Sequence, residues 1–481
     1  MAPVANSTVL DVAVESSTEQ AGPSTLALAP PAHPTLQEIE ASPRRHRLFG
    51  YPISHSASPA FQNLLMQRSS LRKGDCSYEG PFPTYSLCET RSIDEKHMRR
   101  YVRQDERFGG SAVTMPLKVA VAAQLGKEHI LDELDAIAQA TGTVNTIVVY
   151  PSQSGSTRLE DRRMVGTNTD YLGIRHAILR NVATQHGLDP SFYMRASATY
   201  QFPLDGRREG LKHSALIIGS GGTCRSAVWA AHRLGLSPLY LLNRDAPETA
   251  DVVQYFDQRG MNLDLRPLRS EQAWQEEALR RETGETGQLA CTIGAIPSMA
   301  PQTIDEKMVY NLAHMFFESE YRPDFGAHAN IQPDVEASST IQRFPLPSAR
   351  PFLEMCYKPR VTPLLAYAAS QPSASAWSPI CGVEAMIEQG LAQARMWATS
   401  ASILRGEAPL QDPLGCATAA GDAGPLGLEA EEEARAMATA MGDVVVAPPN
   451  HVAASMKIPR TSASPLTTGL DTPQSFVAAV R

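Results

Sequence analysis

The sequence predicts an α/β fold that contains a parallel sheet, and three observations support this prediction. The chain has 481 residues, 43% hydrophobic and 20% charged, which is an ordinary composition for a globular protein of two or three domains. Buried apolar strands are predicted at residues 215–218 and 239–242. Between them come a glycine turn and a helical pattern that Gly235 ends, so the segment is a strand–helix–strand unit, which is typical of parallel sheets.

Charge and cysteine usage narrow the possible functions. The net charge is −8, so the overall balance does not predict a nucleic-acid-binding surface. The seven cysteines are scattered and form no C-x-x-C pair, which indicates free thiols in a reducing compartment and no metal site. The start lacks the basic and apolar blocks of a signal peptide, and no stretch reaches the roughly 18 apolar residues that cross a bilayer. We expect a cytoplasmic protein that binds no membrane.

The folded body begins with a strand in HRLFGYPI and a helix in SPAFQNLLMQ, which Ser58 is placed to cap and Pro59 suits as a first-turn residue. Strands are predicted in SAVTM and in GTVNTIVVY, where β-branched residues are frequent. Apolar residues at helical spacing predict helices in TDYLGIRHAILRNV and in ICGVEAMIEQGLAQARMWA.

The two ends of the chain and two internal segments are less regular. Residues 1–45 are rich in Ala, Pro, Ser and Thr and predict a disordered extension. Residues 402–481 are similar, apart from one possible helix in LEAEEEARAMATAM. Polar inserts are predicted near residues 184–212 and 318–350. Because the tails lack the apolar periodicity that would let them join a core, we expect both to be dispensable for catalysis.

The glycine turn GSGGTC predicts an anion-binding site, because backbone N–H groups and the helix dipole favour negative charge there. Its spacing is not G-x-G-x-x-G, and a plain tight connection is the alternative, but the strand before it and the helix after it favour dinucleotide binding. The next strand ends in NRD. There Asp245 suits the ribose 2′-OH of NAD, whereas Arg244 suits the 2′-phosphate of NADP.

Eight segments, in order over about residues 48–398, resemble the shikimate/quinate dehydrogenases and in particular the fungal quinate dehydrogenase-like proteins. They are GYPISHSASPAFQN, GGSAVTMPLK, ATGTVNT, GTNTDYLGI, IIGSGGTCRSA, LLNRD, YKPRVTPLL and GVEAMIEQGLAQARMW. The resemblance implies a two-domain dehydrogenase. Residues 46–170 would form the catalytic, substrate-binding domain, completed by helix 381–400, and residues 171–380 a Rossmann-type NAD(P)-binding domain.

The resemblance also implies roles for the residues at matching positions. Lys118 would be the catalytic lysine and Asp170 its carboxylate partner. Ser56 and Ser58 would bind the substrate carboxylate. The residues that would bind ring hydroxyls or line the site are Thr114, Asn145, Tyr357 and Gln389. The residues that would bind the cofactor are Gly219, Gly221, Gly222, Asn243, Arg244 and Asp245.

A lysine beside a carboxylate suits the oxidation of an alcohol, which needs a group to take the hydroxyl proton as hydride leaves. A free lysine is too basic to be a good acceptor at neutral pH. A water-poor cleft would favour its neutral form and Asp170 its charged form, so we assign the proton relay to the pair. Serine hydroxyls suit the substrate carboxylate because they donate hydrogen bonds without placing another positive charge beside Lys118.

Three places depart from the family's pattern. Ala112 stands where Asn is frequent, and Gln62 stands where His is frequent; both changes concern packing and the bonding behind the site. The segment CTIGAIPS, with Cys291 and Thr292, replaces an Asn-Ala-Thr segment near the nicotinamide. This third change leaves the nicotinamide contacts open.

The resemblance predicts an oxidoreductase that transfers a hydride between quinate or shikimate and NAD, with NADP as the alternative. Its partner would be a small cyclic carboxylate, and we expect a monomer or a homodimer. One alternative is an inactive, regulatory metabolite sensor similar to fungal quinate repressors, which the long tails favour. Another is a Rossmann oxidoreductase for a different alcohol, which would not need HSAS together with NTD. The intact Lys118 and Asp170 favour catalysis.

Overall fold

The computed structural model describes most of the chain. The described residues are 33–71, 80–93, 98–126, 129–151, 158–188, 200–323, 342–405 and 426–441. No helix within these ranges is both long enough and apolar enough to cross a membrane.

A mixed six-stranded sheet occupies the first part of the chain. Its strands are β1 (Arg45–Gly50), β2 (Thr84–Glu89), β3 (Phe108–Val113), β4 (Glu133–Leu134), β5 (Thr146–Tyr150) and β6 (Arg163–Thr167). Their spatial order is β2–β1–β3–β5–β6–β4, and β5 is antiparallel to both of its neighbours. The amino end of β5 therefore lies at the same edge of the sheet as the carboxyl ends of β1, β3 and β6.

A second six-stranded sheet is entirely parallel. Its strands are β8 (Ser214–Ile218), β9 (Leu239–Leu242), β10 (Leu265–Pro267), β11 (Leu289–Gly294), β13 (Arg350–Glu354) and β14 (Trp377–Ile380). The order is β10–β9–β8–β11–β13–β14, so the strand order reverses beside β8. Doubly wound sheets bind ligands at such a point. The predicted fold class, α/β with a Rossmann-type parallel sheet, is confirmed.

Helices cover both sheets. In the first part of the chain they are α1 (Leu36–Ala41), α2 (Ser58–Leu71), α3 (Arg100–Gln104), α4 (Lys118–Ala122) and α5 (Ala136–Thr141), with a 3₁₀ turn at Leu159–Asp161. Further along they are α6 (Thr169–Gln185), α7 (Gly222–Arg233), α8 (Ala246–Asp257), α9 (Glu271–Glu282), α10 (Ile304–Glu318), α11 (Pro363–Ala369), α12 (Gly382–Leu404) and α13 (Leu428–Ala440).

The long helix α12 returns from the second sheet to the first. It packs along α6 and also against α2 and β5. Near its end, the indole N–H of Trp397 donates to the Ile147 carbonyl oxygen at 3.0 Å. Closer to its start, the Gln393 amide donates to Thr146 Oγ1 at 3.0 Å. These bonds fix α12 against the strand that follows Asn145.

The described ends of the two predicted polar inserts are more ordered than expected. Residues 200–201 (β7) and 342–343 (β12) form a small parallel ladder. Phe202 and Phe344 are fully buried beside it, with ring centroids 4.9 Å apart. The prediction of polar inserts is therefore wrong for these ends, because isolated aromatic residues show no periodicity in sequence and still pack. The middles of both inserts lie outside the described residues.

The N-terminal prediction also needs correction where the chain is described. A capping box starts α1, since Thr35 and Glu38 bond each other's backbone N–H groups. Arg45 already belongs to β1. The expected disorder is thus wrong for residues 35–45, and residues 1–32 lie outside the described part.

The C-terminal helix predicted in LEAEEEARAMATAM is present as α13, but it is not an isolated segment. Ala430, Ala434 and Ala438 are buried at a four-residue spacing, and the helix packs against α2 and α12. Arg395 binds Glu431 through two hydrogen bonds, of 2.8 and 2.5 Å. The expectation that this tail cannot join a core is wrong for residues 426–441, because small alanines supplied the apolar face.

Candidate active site

One cleft brings together all the residues predicted to bind substrate or act on it. It is open to solvent, has a cavity volume of about 120 Å³, and lies at the edge where β1, β3 and β6 end and β5 begins. The predicted residues that line it are Ser56, Ser58, Thr114, Lys118, Asn145, Asp170, Tyr357 and Gln389. Each follows or precedes one of these strands, except Tyr357, which follows β13, and Gln389, which α12 carries. The strand order explains why residues so far apart in sequence meet.

Lys118 and Asp170 form an ion pair inside the cleft. Lys118 is the first residue of α4, and Asp170 lies in the first turn of α6. Their Nζ and Oδ2 atoms are 2.5 Å apart, and the side chains are only 13% and 3% exposed. A charge-assisted bond of this length in a largely buried place is a strong interaction. The structure thus brings the two predicted catalytic side chains into direct contact.

Asn145 holds the other oxygen of the same carboxylate. Its amide nitrogen donates to Asp170 Oδ1 at 2.8 Å, and its Oδ1 accepts from the Thr169 backbone N–H at 2.7 Å. The Gln389 Oε1 atom lies 3.4 Å from the same amide nitrogen. Asn145 is almost fully buried. This network orients Asp170 toward Lys118 and leaves Gln389 at the cleft wall.

Hydroxyl groups gather at the other end of the cleft. Ser56 Oγ accepts the backbone N–H of Ser58 at 3.2 Å, so Ser56, rather than Ser58, supports the start of α2. Tyr357 lies beside them, and burial raises the pKa of its phenol, which therefore stays protonated as a donor. The Lys358 ammonium donates to the His55 carbonyl oxygen at 2.7 Å and ties the two loops together. Three hydroxyls in one place suit a carboxylate ligand.

Two positions that depart from the family's pattern also border the cleft. Ala112 is buried in β3, and Gln62 is buried in α2. The Gln62 amide donates to the Gly390 carbonyl oxygen at 2.9 Å, directly after Gln389. Gln62 therefore stabilises α12, which carries the predicted substrate-binding residue Gln389.

The predicted cofactor residues lie at the carboxyl edge of the second sheet, outside the lining of the cleft. Gly219 has φ +123°, and a Cβ there would come within 2.8 Å of the Ala295 carbonyl oxygen, so the turn requires glycine. α7 begins at Gly222, and no side chain caps it. The turn thus presents uncapped backbone N–H groups at the reversal of strand order, as an anion site needs.

The altered segment near the expected nicotinamide position does not present Cys291 and Thr292 to a ligand. Both are fully buried within β11, and burial raises the pKa of the Cys291 thiol. The residues that reach the glycine turn are Ala295 and Ile296. The sequence left the nicotinamide contacts open at this segment, and the structure encloses the side chains of Cys291 and Thr292 within the strand.

The predicted ribose end of the turn, residues 243–248, carries two carboxylates. Asp245 accepts the Glu248 backbone N–H at 2.9 Å and caps α8, while the Asn243 amide donates to the Glu248 carboxylate at 3.0 Å. A Cβ on Gly221 would lie 3.9 Å from Glu248 Oε1. Arg244 is exposed and pairs with Glu306 of α10. The sequence analysis did not identify Glu248, although it lies three residues after Asp245.

A hydrogen bond joins the cleft to the glycine turn. The Lys118 ammonium donates to Thr223 Oγ1, in the first turn of α7, at 3.2 Å. The sequence analysis did not identify Thr223 either, although it directly follows the GSGG turn. Only the folded chain shows that this turn faces the lysine.

Comparison with known families gives a match in the first part of the chain. Residues 48–147 match the sequence model of the shikimate dehydrogenase substrate binding domain. The match includes Ser56, Ser58, Thr114, Lys118 and Asn145. For residues 48–147, this match confirms the resemblance that the sequence segments predicted.

Several solved structures are similar to the chain. A dehydroquinate dehydratase and shikimate dehydrogenase protein from S. pombe is 24% identical with a TM-score of 0.47; the match covers 75% of this chain and 52%, about half, of that one. A Thermus thermophilus shikimate 5-dehydrogenase in complex with NADP(H) and shikimate is 20% identical with a TM-score of 0.43 and coverages of 82% and 99%. A Listeria monocytogenes shikimate 5-dehydrogenase in complex with shikimate and NAD is 19% identical with a TM-score of 0.45 and coverages of 77% and 94%.

Proposed function

We propose that this chain, whose residues 48–147 belong to the shikimate dehydrogenase substrate-binding domain family, is an oxidoreductase that transfers a hydride between quinate or shikimate and a nicotinamide nucleotide. The observation that carries the proposal is the buried pair of Lys118 and Asp170, in a cleft whose other end gathers hydroxyl donors. Residues 46–170 and helix 381–400 would bind the acid, and residues 171–380 the nucleotide.

The substrate would lie between the hydroxyl donors and the ion pair. Ser56, Ser58 and Tyr357 donate to its carboxylate, which fixes one end of the ring. Thr114 and Gln389, which also line the cleft, bind ring hydroxyls. This placement brings one carbinol group to Lys118, and holding a reacting group in place in this way accounts for much of an enzyme's rate enhancement.

Lys118 and Asp170 would then move the proton. The carbinol O–H gives its proton to the neutral amine of Lys118 while its carbon loses a hydride, which a nicotinamide accepts when bound. The resulting ammonium is stabilised by Asp170, whose second oxygen Asn145 already holds. In the reverse direction the same ammonium donates the proton to the carbonyl oxygen.

The residues at the turn fit a dinucleotide. The uncapped start of α7 offers backbone N–H groups to a pyrophosphate. There is also room for it beside Gly221, since an added Cβ there would approach Glu248 Oε1 no closer than 3.9 Å. We propose NAD as the preferred nucleotide. Asp245 and Glu248 place two carboxylates where a 2′-phosphate would lie, and the pairing of Arg244 with Glu306 holds that guanidinium toward α10.

The test uses the purified full-length chain with quinate or shikimate and either nucleotide. We expect reduced nucleotide to form with at least one acid, and faster with NAD than with NADP. Calorimetry with each acid provides a second readout. Binding of an acid without formation of reduced nucleotide would replace this proposal with the metabolite-sensor function, and absence of both binding and turnover would exclude both functions.

A further inference from the structure

The bond between Lys118 and Thr223 links the catalytic amine to the nucleotide turn. Lys118 Nζ lies 2.5 Å from Asp170 Oδ2 and 3.2 Å from Thr223 Oγ1. The first acceptor belongs to α6 and the second to α7, so two different elements hold one amine. A Cβ added to Gly222 would lie 3.4 Å from Lys118 Cβ, which shows how closely the turn approaches the lysine.

Counting the positions on the nitrogen shows what this arrangement does. A lysine amine has four tetrahedral positions, and its own chain occupies one of them. In the neutral form two positions are N–H donors and the last is the lone pair. Asp170 and Thr223 accept from both donors, so the lone pair has only one remaining direction. Because Lys118 lines the cleft, we assign this remaining direction to the cleft side of the amine.

We propose that Thr223 is a positioning residue that fixes rotation about the Cε–Nζ bond of Lys118 and thereby aims its lone pair at the substrate hydroxyl. The inference rests on the proposed function for its catalytic consequence. Without Thr223, one N–H could still bond Asp170, but the second N–H and the lone pair could exchange the two remaining positions. The lone pair would then point at the hydroxyl only part of the time.

A second contact fixes the position of Thr223 itself. Ser226, three residues further along α7, accepts from the Asn168 amide at 2.9 Å. Asn168 caps α6 immediately before Thr169 and Asp170. The start of α7 is therefore bonded to Lys118 through Thr223 and to the start of the helix that carries Asp170 through Ser226. This geometry makes the Thr223 hydroxyl a fixed acceptor.

The first experiment compares Thr223→Val and Thr223→Ser with the wild type in steady-state kinetics. Valine keeps the shape without the hydroxyl, and serine restores the hydroxyl. We expect Thr223→Val to lower kcat about ten-fold, since general-base catalysis depends on the position of the base. KM for the acid should change much less, and Thr223→Ser should recover most of kcat. Thr184→Val, at an exposed position of α6, is the matched control.

Two further readouts separate positioning from damage to the nucleotide site. The affinity for the nucleotide, measured by calorimetry, should be unchanged in Thr223→Val. The solvent deuterium isotope effect on kcat should rise, because proton transfer becomes slower. A normal kcat in Thr223→Val, or an equal loss in Thr223→Ser, would overturn the inference.

A labelling experiment tests the contact even if the wild type proves to have no dehydrogenase activity. The protein is treated with limiting acetic anhydride. Mass spectrometry then measures the rate of acetylation of Lys118 relative to that of the exposed Lys307. Accepting hydroxyls favour the charged, unreactive form of an amine. We therefore expect faster labelling of Lys118 in Thr223→Val and wild-type labelling in Thr223→Ser. Unchanged labelling in Thr223→Val would refute the contact, whatever the outcome for the proposed function.

Discussion

The cleft around Lys118 and the ribose end around Asp245 hold their polar groups in different ways. In the cleft, Asp170 is 3% exposed and receives hydrogen bonds at both carboxylate oxygens from different segments of the chain. At the ribose end, Asp245 and Glu248 are exposed and bond mainly to residues within five positions of themselves. From this difference we expect substitutions in the cleft to lower kcat strongly. Substitutions at the predicted ribose end should change the preference between NAD and NADP only modestly.

The largest effect is expected for Lys118→Ala. Removing the general base should lower kcat about a thousand-fold, within the range that such groups contribute. The affinity for the nucleotide should be largely preserved, because the turn's backbone donors remain. Steady-state kinetics measures kcat and calorimetry measures the nucleotide affinity of the same preparation, with Lys212→Ala as a surface control. Near-normal turnover would remove Lys118 from the mechanism.

A charge on the buried face of α13 should strongly reduce stability. Ala434→Glu places a carboxylate among the apolar side chains of α2 and α12, which should reduce the free energy of unfolding by on the order of 3 kcal/mol. The control is Ala436→Glu, which adds the same charge on the exposed side of the same helix. Equal thermal unfolding of the two variants would contradict the docking of α13. A truncated chain should accordingly keep residues 426–441.

Glu354, buried at the carboxyl end of β13, should make stability depend on pH. Burial raises the pKa of its carboxyl to about 7, while the N–H of Cys356 and the hydroxyl of Thr362 partly oppose this. The unfolded chain ionises near its ordinary pKa of about 4.3, so the folded state binds the extra proton between these values. Stability should therefore fall as the pH rises from about 4.3 toward 7.

Glu354→Gln should remove this dependence, because an amide does not titrate. We expect the variant to gain stability relative to the wild type as the pH rises through this window, by a few kcal/mol at most. Denaturant unfolding at several pH values measures the difference in the free energy of unfolding between the two proteins. A constant difference between the two proteins across the window would show that Glu354 does not titrate there.

The smallest effect is expected for Asp245→Ser. Serine can still cap α8, but one negative charge disappears from the ribose end. The ratio of kcat/KM for NADP over NAD should rise roughly five-fold, since an exposed charge contact is worth up to about 1 kcal/mol. Asp251→Ser makes the same charge change elsewhere on α8 and should leave the ratio unchanged. A wild type that already prefers NADP would contradict the proposed role of Asp245.

Short motifs carried most of what could be predicted about the site. The segments around Ser56, Lys118, Asn145 and Asp170 resemble those of a known family in residue type and order, and this resemblance implied their roles. Thr223 and Glu248 were not identified because a threonine or a glutamate in the first turn of a helix has no distinctive pattern. Their importance depends on which element faces them, and that depends on packing between segments far apart in sequence.

The sequence by itself determined the α/β class and the glycine turn, because strand and helix periodicity and local motifs are encoded in neighbouring residues. Its resemblance to a known family also pointed to Lys118 and Asp170. The tertiary structure alone decided that α13 joins the core, that Cys291 and Thr292 are buried within β11, and that Thr223 contacts Lys118. Alanines every four residues are apolar enough to pack but too small to show as a hydrophobic pattern. A hydrogen bond between residues 105 positions apart depends on how the two sheets are placed.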